Sequence, residues 1–244
     1  MSKLAVIIPA AGKSERFGGK EKKIFAKLDN RPVFLRTLEK FVTRDDVAQV
    51  ILAVSPEDDE TVRTKFGPNL GFMGVKLVKG GEHRSDTVRA ALTIVDDDVE
   101  YVAIHDAARP CITPDRIDAV FAEARKSGAA LLASPVSSTL KRVSEAGVVD
   151  ATVSRDGLYE AQTPQVFKKD LLESSLDKSE LEPATITDEC MVVEAAGHPV
   201  SVVKSDATNL KITTPGDLTL AAAIIKSMPK KPISKFGAFE EAQW

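Results

Sequence analysis

A loop of small and charged residues follows the first apolar segment of the sequence. It runs Pro9-Ala10-Ala11-Gly12-Lys13-Ser14-Glu15-Arg16-Phe17-Gly18, directly after Leu4–Ile8. Small residues let the backbone approach a ligand closely, and loop N–H groups can bind phosphate oxygens. Arg16 and, further along, Lys23 would add cationic donors to the same phosphates. An ordinary turn between a strand and a helix would contain the same glycines, so the loop alone leaves both interpretations open.

Two familiar phosphate-binding patterns do not fit this loop. Gly12-Lys13-Ser14 matches the end of a P-loop, but the earlier glycine of that pattern falls on Ile7. The dinucleotide pattern G-x-G-x-x-G is absent because Ser14 stands where its second glycine would be. The sequence therefore predicts neither a typical P-loop NTPase nor a classical NAD enzyme.

Two further segments place charged and hydroxyl residues after short strands. His105-Asp106-Ala107-Ala108-Arg109-Pro110 follows Tyr101–Ile104, at the strand end where open α/β sheets bind ligands. Gly80–Thr87 is a Gly-Gly turn that leads into a helix, whose N-terminus can receive an anion. The structural alternatives are a local ion pair between Asp106 and Arg109, and capping of that helix by its own hydroxyls and carboxylates.

The composition limits the classes of partner. The 244 residues include 33 basic and 36 acidic side chains, a net charge of −3, which gives no general basic surface for nucleic acid. The two cysteines, Cys111 and Cys190, are too few for a disulfide framework or a cysteine-rich metal site. No apolar run reaches the roughly 18 residues of a membrane span. We therefore expect no nucleic-acid or membrane partner, and a cytoplasmic protein or the processed form of an organellar one.

Short apolar runs alternate with longer amphipathic segments, which predicts an α/β fold with a doubly wound, mainly parallel sheet. The predicted strands are Leu4–Ile8, Gln49–Val54, Val75–Val78, Tyr101–Ile104, Ala130–Ala133 and Val200–Val203. The predicted helices are Val33–Val42, Glu57–Phe66, Ser85–Val95, Asp115–Lys126, Asp188–Ala196 and Asp217–Ser227. Helix starts are marked by Ser55-Pro56, Thr113-Pro114 and Thr214-Pro215, where a capping hydroxyl precedes a proline at the first helical position.

Residues 134–166 interrupt this alternation. Thr139–Val143 and Val148–Ser154 are β-like segments around the turn Ser144-Glu145-Ala146-Gly147, and we expect a hairpin that projects from the domain. An isolated hairpin is marginally stable in water, so pairing with another subunit is an alternative to a simple surface excursion. We predict one domain over 1–228, with 134–166 as a dimerisation arm, and a flexible tail over 229–244.

Taken in order, these segments resemble the 2-C-methyl-D-erythritol 4-phosphate cytidylyltransferase family of the non-mevalonate isoprenoid pathway. The resemblance covers nearly everything from Leu4 to about Ile225. It rests on Pro9–Gly18, Lys23 before Ile24-Phe25, Arg31-Pro32-Val33, Gly80–Thr87, His105–Pro110, Thr139-Leu140-Lys141-Arg142, Arg155, Thr163-Pro164-Gln165, Thr187-Asp188-Glu189 and Asn209–Pro215.

The resemblance implies a Rossmann-like nucleotidyltransferase domain with a protruding β-hairpin arm, a homodimer formed through that arm, and CTP as co-substrate. The residues it implies for catalysis are Arg16, Lys23, Arg155 and Lys211. Those it implies for nucleotide binding are Pro9, Ala10, Ala11, Gly12, Gly81, Glu82, Thr87, Asp106 and Ala107. Those it implies for the methylerythritol phosphate are Arg109, Thr139, Arg155, Thr163 and Lys211, with Arg155 arriving from the neighbouring subunit.

The implied reaction is attack by the substrate's phosphate oxygen on the α-phosphorus of CTP, with pyrophosphate leaving. The attacking oxygen is already an anion at neutral pH, so no general base is required. Mg²⁺ would neutralise phosphate charge together with Arg16 and Lys23. For the metal, Asp106 is the first candidate and Asp206 the second, and either carboxylate could instead be structural.

The chain departs from the family pattern at two positions of the nucleotide loop. Ser14 stands where a second glycine is usual, so the backbone there must tolerate a Cβ. Lys22 stands where proline usually precedes Lys23, which leaves open which lysine serves the phosphates. Two alternative functions also stay open, a ribitol 5-phosphate cytidylyltransferase and a non-catalytic nucleotide-binding protein. The second is disfavoured because a pure binder would not need both halves of a transfer site.

Overall fold

The computed structural model of the chain describes residues 3–14, 17–18 and 22–229. Within these residues the strands are β1 (Leu4–Ala10), β2 (Lys27–Leu28), β3 (Arg31–Pro32), β4 (Val47–Val54), β5 (Val75–Lys79), β6 (Tyr101–Ile104), β7 (Ala129–Pro135), β8 (Leu140–Val143), β9 (Val149–Val153), β10 (Tyr159–Lys168) and β11 (Ser201–Lys204). The helices are α1 (Val33–Val42), α2 (Pro56–Phe72), α3 (Arg84–Leu92), α4 (Pro114–Ser127), α5 (Lys169–Asp177), α6 (Glu189–Ala195) and α7 (Pro215–Ser227).

The central sheet has seven strands in the order β11-β7-β10-β6-β1-β4-β5. Its neighbours run parallel except β10, which is antiparallel to both β6 and β7. The apolar run of β1 serves both faces of this sheet, because Leu4 and Val6 pack in one core cluster while Ala5 and Ile7 pack in the other. Burial on both faces explains why the strand is a continuous apolar run. The predicted α/β fold with a mainly parallel sheet is confirmed.

The strand order reverses next to β1. The chain proceeds from β1 outward to β4 and β5, then returns to place β6 on the other side of β1. Loops that leave the carboxyl ends of β1 and β6 therefore diverge in opposite directions and leave a crevice between them. This topology brings the segment after Ala10 and the segment after Ile104 to the same edge.

The predicted helix starts are confirmed at Pro56, Pro114 and Pro215. At the first of them, the Ser55 hydroxyl accepts a hydrogen bond from the N–H of Asp58 at 3.3 Å. This bond satisfies one of the N–H groups that a helix start leaves unpaired. Among the helices of the described residues, none is both long and apolar enough to cross a membrane.

The hairpin predicted within 134–166 is present but shorter than that range. β8 and β9 pair antiparallel, with Leu140 opposite Val153. Residues 159–168 instead form β10, whose residues 162–167 are buried in the middle of the sheet. β10 was not predicted because its polar side chains interrupt the apolar pattern of a buried strand. Helix α5 was also not predicted, and the tail beyond residue 229 lies outside the described residues.

Candidate active site

A cleft of about 250 Å³ opens at the carboxyl ends of β1 and β6. Its lining residues are Pro9, Ala10, Ala11, Gly12, Lys23, Ile24, Glu82, His83, Arg84, Thr87, Asp106, Ala107, Ala108 and Lys211. A wider cleft of about 820 Å³ shares four of them, namely Ala11, Gly12, Lys23 and Glu82. It extends toward Ser14, Lys22, Ser55 and Gly81. The structure thus brings together most residues predicted to bind the nucleotide.

The loop after β1 contains a backbone conformation that glycine normally occupies. Ser14 has φ of 59°, and its buried hydroxyl oxygen has no hydrogen-bond partner among the described residues. A side chain in this left-handed region is disfavoured, although serine tolerates it better than a β-branched residue. The expectation that the backbone at Ser14 adopts a conformation usual for glycine while carrying a Cβ is confirmed. Arg16 lies outside the described residues, so its phosphate contact stays a prediction.

The two adjacent lysines that end this segment have different surroundings. Lys22 Nζ lies 2.6 Å from the carboxylate of Asp58 and donates to the Ser55 hydroxyl at 3.2 Å. Lys23 lines both clefts, whereas Lys22 lines only the wider one. The Lys22 ammonium forms an ion pair with helix α2. Which of the two lysines contacts the phosphates stays a prediction.

The carboxylate of Asp106 is the charge centre of the cleft. Its Oδ1 accepts from Arg84 Nη1 at 2.9 Å, and its Oδ2 lies 3.1 Å from Arg109 Nε and 2.9 Å from Lys211 Nζ. Burial alone would raise the pKa of this carboxyl, but the charges of Arg84, Lys211 and Arg109 outweigh it and hold the pKa well below its usual range. Asp106 is therefore an anion at any physiological pH. The local ion pair between Asp106 and Arg109, considered from their spacing, is present.

Sequence reasoning did not single out Arg84 or its partner Glu189. The Nε and Nη2 atoms of Arg84 donate to the two carboxylate oxygens of Glu189 at 3.0 and 2.9 Å. Burial raises the pKa of Glu189, and the Arg84 charge offsets this only in part. Both residues lie inside segments that carry the family resemblance, the Gly-Gly turn and Thr187-Asp188-Glu189. Pairing them required the tertiary structure, because 105 positions separate them.

His105 is a structural residue beneath the cleft. The N–H of Asp106 donates to Thr163 Oγ1 at 3.0 Å, and that oxygen lies 3.1 Å from His105 Nδ1. His105 Nε2 lies 3.1 Å from the carbonyl oxygen of Arg109. A carbonyl only accepts, so Nε2 carries the proton and Nδ1 accepts from the Thr163 hydroxyl. Burial lowers the pKa of His105 to about 4, so the ring is neutral near pH 7.

Arg109 and Thr163 lie behind Asp106 and line neither cleft. Besides its ion pair with Asp106, Arg109 donates from Nη1 to the carbonyl of Asn209 at 2.8 Å. The predicted contacts of Arg109 and Thr163 with the substrate therefore stay predictions. What the structure adds is that both residues hold Asp106 in place.

The turn at Gly80–Gly81 is packed too tightly for any side chain. A Cβ on Gly81 would lie 2.3 Å from Asp86 Cβ, and one on Gly80 would lie 2.8 Å from Thr87. The Thr87 hydroxyl accepts from the N–H of Gly81 at 3.2 Å and donates to the carbonyl of His83 at 3.0 Å. The N–H of His83 donates to Asp86 at 3.2 Å, so the helix-capping alternative is present as well. This network holds Glu82 at the edge of both clefts.

The sequence of the chain was compared with those of known protein families. Residues 4–227 match the model of the family described as 2-C-methyl-D-erythritol 4-phosphate cytidylyltransferase. The chain belongs to this family. A cytidylyltransferase of that name from Rhodopirellula baltica is 41% identical over 233 residues, which cover 91% of this chain and 94% of that protein. Another, from Desulforamulus reducens, is 37% identical over 227 residues, which cover 93% of this chain and 97% of that protein.

Solved structures of cytidylyltransferases with this name share the fold. The crystal structure from Francisella tularensis has a TM-score of 0.77 and 31% identity, and the match covers 91% of this chain and all of that chain, 100%. The structure from Thermus thermophilus has a TM-score of 0.75 and 31% identity, and the match covers 92% of this chain and 99% of that chain. The resemblance inferred from motifs is confirmed over nearly the whole described domain.

Besides Arg109 and Thr163, three more residues predicted for the cytidylyltransferase site line neither of the two clefts. Arg155 and Thr139 are exposed on the arm, where Arg155 donates to the carbonyl of Ser137. Asp206 pairs with Arg116 at 2.6 Å and accepts from the Thr208 N–H at 2.7 Å. Asp206 therefore lies outside the lining of both clefts and has partners of its own, so the structure lends no support to its role as a metal ligand.

Proposed function

We propose that this chain transfers CMP from CTP to 2-C-methyl-D-erythritol 4-phosphate, giving 4-diphosphocytidyl-2-C-methyl-D-erythritol and pyrophosphate. The observation that carries the proposal is full-length similarity to cytidylyltransferases of that name, 41% identity over 91% of this chain for the Rhodopirellula baltica protein. The cationic cleft at the reversal of strand order supports it, because this is where open α/β sheets bind nucleotides.

The reaction needs charge neutralisation rather than acid–base chemistry. A phosphate oxygen of the substrate forms a bond to the α-phosphorus of CTP, and the bond from that phosphorus to the bridging oxygen of pyrophosphate breaks. Both reactants are anions, and the described cleft supplies cations from Lys23, Arg84 and Lys211. Fixed cations at this edge lower the barrier by positioning the phosphates and stabilising the charge that develops on pyrophosphate. The buried, neutral His105 takes no part in this step.

We assign the nucleotide to the loop after β1 and the turn after β5. Pro9, Ala10, Ala11 and Gly12 would face the triphosphate with their backbone, and Arg16 and Lys23 would bind its oxygens. Chain neighbours aside, none of the described residues has an atom within 4 Å of the position of a Cβ on Gly12, which agrees with a loop that faces a ligand. Gly81, Glu82, Thr87, Asp106 and Ala107 would surround the base and the ribose.

Mg²⁺ fits the cleft with Asp106 as its protein ligand. Among the described residues no group of three or more acidic, cysteine or histidine side chains could hold a metal, so phosphates and water would supply most ligands. An ionised carboxylate has about four acceptor positions. Arg84, Arg109 and Lys211 fill three of the four acceptor positions of Asp106, which leaves one acceptor position on Oδ1. Bound there, Mg²⁺ would neutralise charge on the triphosphate.

We further propose a homodimer in which the arm completes the partner's site. Five large apolar side chains are exposed between residues 143 and 159, namely Val143, Val148, Val149, Leu158 and Tyr159. Such a group of exposed apolar residues is typical of an interaction surface. Lys211 in the chain's own cleft, with Arg155 and Thr139 from the partner, would then hold the methylerythritol phosphate. A cytoplasmic location is also proposed, and it agrees with two cysteines that are buried and unpaired among the described residues.

The decisive experiment is a pyrophosphate-release assay with CTP and Mg²⁺, run with 2-C-methyl-D-erythritol 4-phosphate and with ribitol 5-phosphate in parallel. We expect turnover with the first substrate and much slower release with the second. The mass of the product identifies which alcohol phosphate was activated. Turnover with ribitol 5-phosphate alone would reassign the substrate, and CTP binding without turnover on either would favour a non-catalytic nucleotide-binding protein.

A further inference from the structure

A buried ion pair joins Arg84, which lines the cleft, to Glu189, which has no role in the chemistry proposed above. Glu189, the first residue of α6, is 0% exposed, and both of its carboxylate oxygens accept hydrogen bonds from Arg84, at 3.0 and 2.9 Å. This two-point contact holds a guanidinium in one orientation. The third nitrogen of the guanidinium, Nη1, donates to Asp106 Oδ1 at 2.9 Å.

Both ends of this chain of contacts are attached to the same pair of strands. The N–H of Glu189 donates to Gln165 Oε1 at 3.2 Å, and Gln165 Nε2 donates to the Asp188 carboxylate at 2.8 Å. Gln165 belongs to β10 and pairs there with Ile104 of β6. Asp106 follows Ile104 by two positions. The start of α6 is therefore tied directly to the strand that positions the charge centre.

Stability alone does not require an ion pair at this place. An apolar pair of similar volume is often as stabilising as a buried ion pair, because removing two charges from water offsets most of their attraction. An apolar pair could not direct an N–H group at a carboxylate oxygen. Arg84 also lines the cleft, so without Glu189 its guanidinium could turn toward the phosphates instead of Asp106.

We propose that Glu189 is a positioning residue for the transfer reaction. It holds Arg84 so that Nη1 fixes the Asp106 carboxylate, and with it the ammonium of Lys211, in the orientation that the reacting phosphates require. The inference rests on the proposed function. In metal sites, partners that orient a ligand in this way contribute about 10–100-fold to activity, and we expect a similar contribution here. Their contribution is to the geometry of the reacting groups rather than to the contact area with substrate.

The test is Glu189→Gln, which keeps the side-chain volume and removes the charge. We expect kcat to fall by about 10–100-fold, while KM for CTP and for the methylerythritol phosphate changes little. Glu39→Gln is the matched control, since Glu39 Oε1 lies 2.6 Å from Nη1 of the buried Arg31 and neither residue lines the clefts. We expect it to lower the unfolding temperature and leave kcat unchanged.

A second variant covers the case in which Glu189→Gln fails to fold. Arg84→Met combined with Glu189→Leu removes both charges, so we expect it to fold and to keep a low kcat. Wild-type kcat in Glu189→Gln, or recovery of both stability and kcat in the double variant, would overturn the positioning role. The wild-type protein is assayed in parallel. Its failure to turn over would overturn the proposed function, and this inference with it.

Discussion

At the scale of single residues, the site is organised by charge balance around Asp106. Three cations share this one carboxylate, and a fourth cationic residue, Lys23, lines the same cleft. The excess of positive charge is suited to two phosphorylated substrates that repel each other. The adjacent Lys22 pairs with Asp58 and lines only the wider cleft, so we expect the two neighbouring lysines to have different roles.

Substituting Lys23 tests this division of roles. We expect Lys23→Ala to lower kcat by about two to three orders of magnitude, because it removes a preorganised donor to the phosphates. CTP affinity, measured by calorimetry, should weaken much less. Lys22→Ala is the matched control and should reduce kcat to a much smaller degree. The opposite ranking of the two variants would transfer the phosphate role to Lys22.

His105 makes stability depend on pH in a defined window. Its pKa is about 4 in the folded chain because of burial, against 6.5 for the ordinary side chain. The unfolded state therefore binds more protons between these values, and the contribution of His105 is complete above pH 6.5 and lost as pH falls toward 4. At 1.36 kcal/mol per pKa unit this is about 3 kcal/mol.

Chemical denaturation at several pH values measures this effect. Between pH 6.5 and 4, the unfolding free energy of His105→Gln should fall less steeply than that of the wild type. His198→Gln, at an exposed histidine, should keep the wild-type slope. If His105→Gln has the wild-type slope, another group is responsible for the loss of stability.

At the scale of elements, turns rather than helices or strands shape the nucleotide site. The turn after β5 is the tightest of them, since a Cβ on Gly81 would lie 2.3 Å from Asp86 Cβ. Both atoms are attached directly to backbone, so neither can move without displacing the start of α3. Glu82 and Thr87 would move with it.

We expect Gly81→Ala to reduce CTP affinity strongly, with a smaller loss of overall stability. Calorimetric titration of CTP and thermal unfolding measure the two effects separately. Gly71→Ala is the control, because it lies inside helix α2 and, outside that helix, its Cβ would meet no atom of the described residues within 4 Å. That variant should be neutral or more stable by up to about 1 kcal/mol. Wild-type CTP affinity in Gly81→Ala would place the base elsewhere.

The position of the arm bears on whether one chain contains a complete site. Arg155 lies on the exposed turn before β10, outside the lining of the two clefts. Five exposed apolar side chains of the arm would supply the surface that the proposed dimer buries. A guanidinium binds phosphate at two points, which lysine cannot reproduce.

Mixing inactive subunits tests the shared site. We expect Arg155→Ala to raise KM for the methylerythritol phosphate while CTP affinity stays near that of the wild type. If the partner supplies Arg155, a heterodimer of Arg155→Ala and Lys23→Ala chains has one site with both wild-type residues, and activity returns. Sedimentation confirms dimers and subunit exchange. Failure of mixing to restore activity, with exchange confirmed, would place Arg155 in its own subunit's site.

Local sequence patterns were sufficient to predict the fold class, most of the strands and the loops that line the cleft. The apolar run of β1 is a local signal, because a strand buried on both faces needs consecutive apolar residues. The helix starts with Ser or Thr before Pro are local as well, because a helix cap involves only neighbouring residues. The loop after β1, the Gly-Gly turn and the segment after β6 were each visible as motifs for the same reason. Their order along the chain was specific enough to identify the family.

Apart from local contacts such as the Asp106–Arg109 ion pair, the contacts of these residues depend on how the chain folds in three dimensions. β10 was not predicted because three of its buried residues, Gln162, Thr163 and Gln165, are polar. Each can be buried because it has a distant hydrogen-bond partner, Asn209, His105 and Asp188 respectively. Arg84 and Glu189 are far apart in sequence, so neither shows a local pattern that predicts an ion pair. The three cations on Asp106 come from three separate segments. Long-range electrostatics depends on which segments the sheet topology brings to one edge, and no local sequence pattern contains that information.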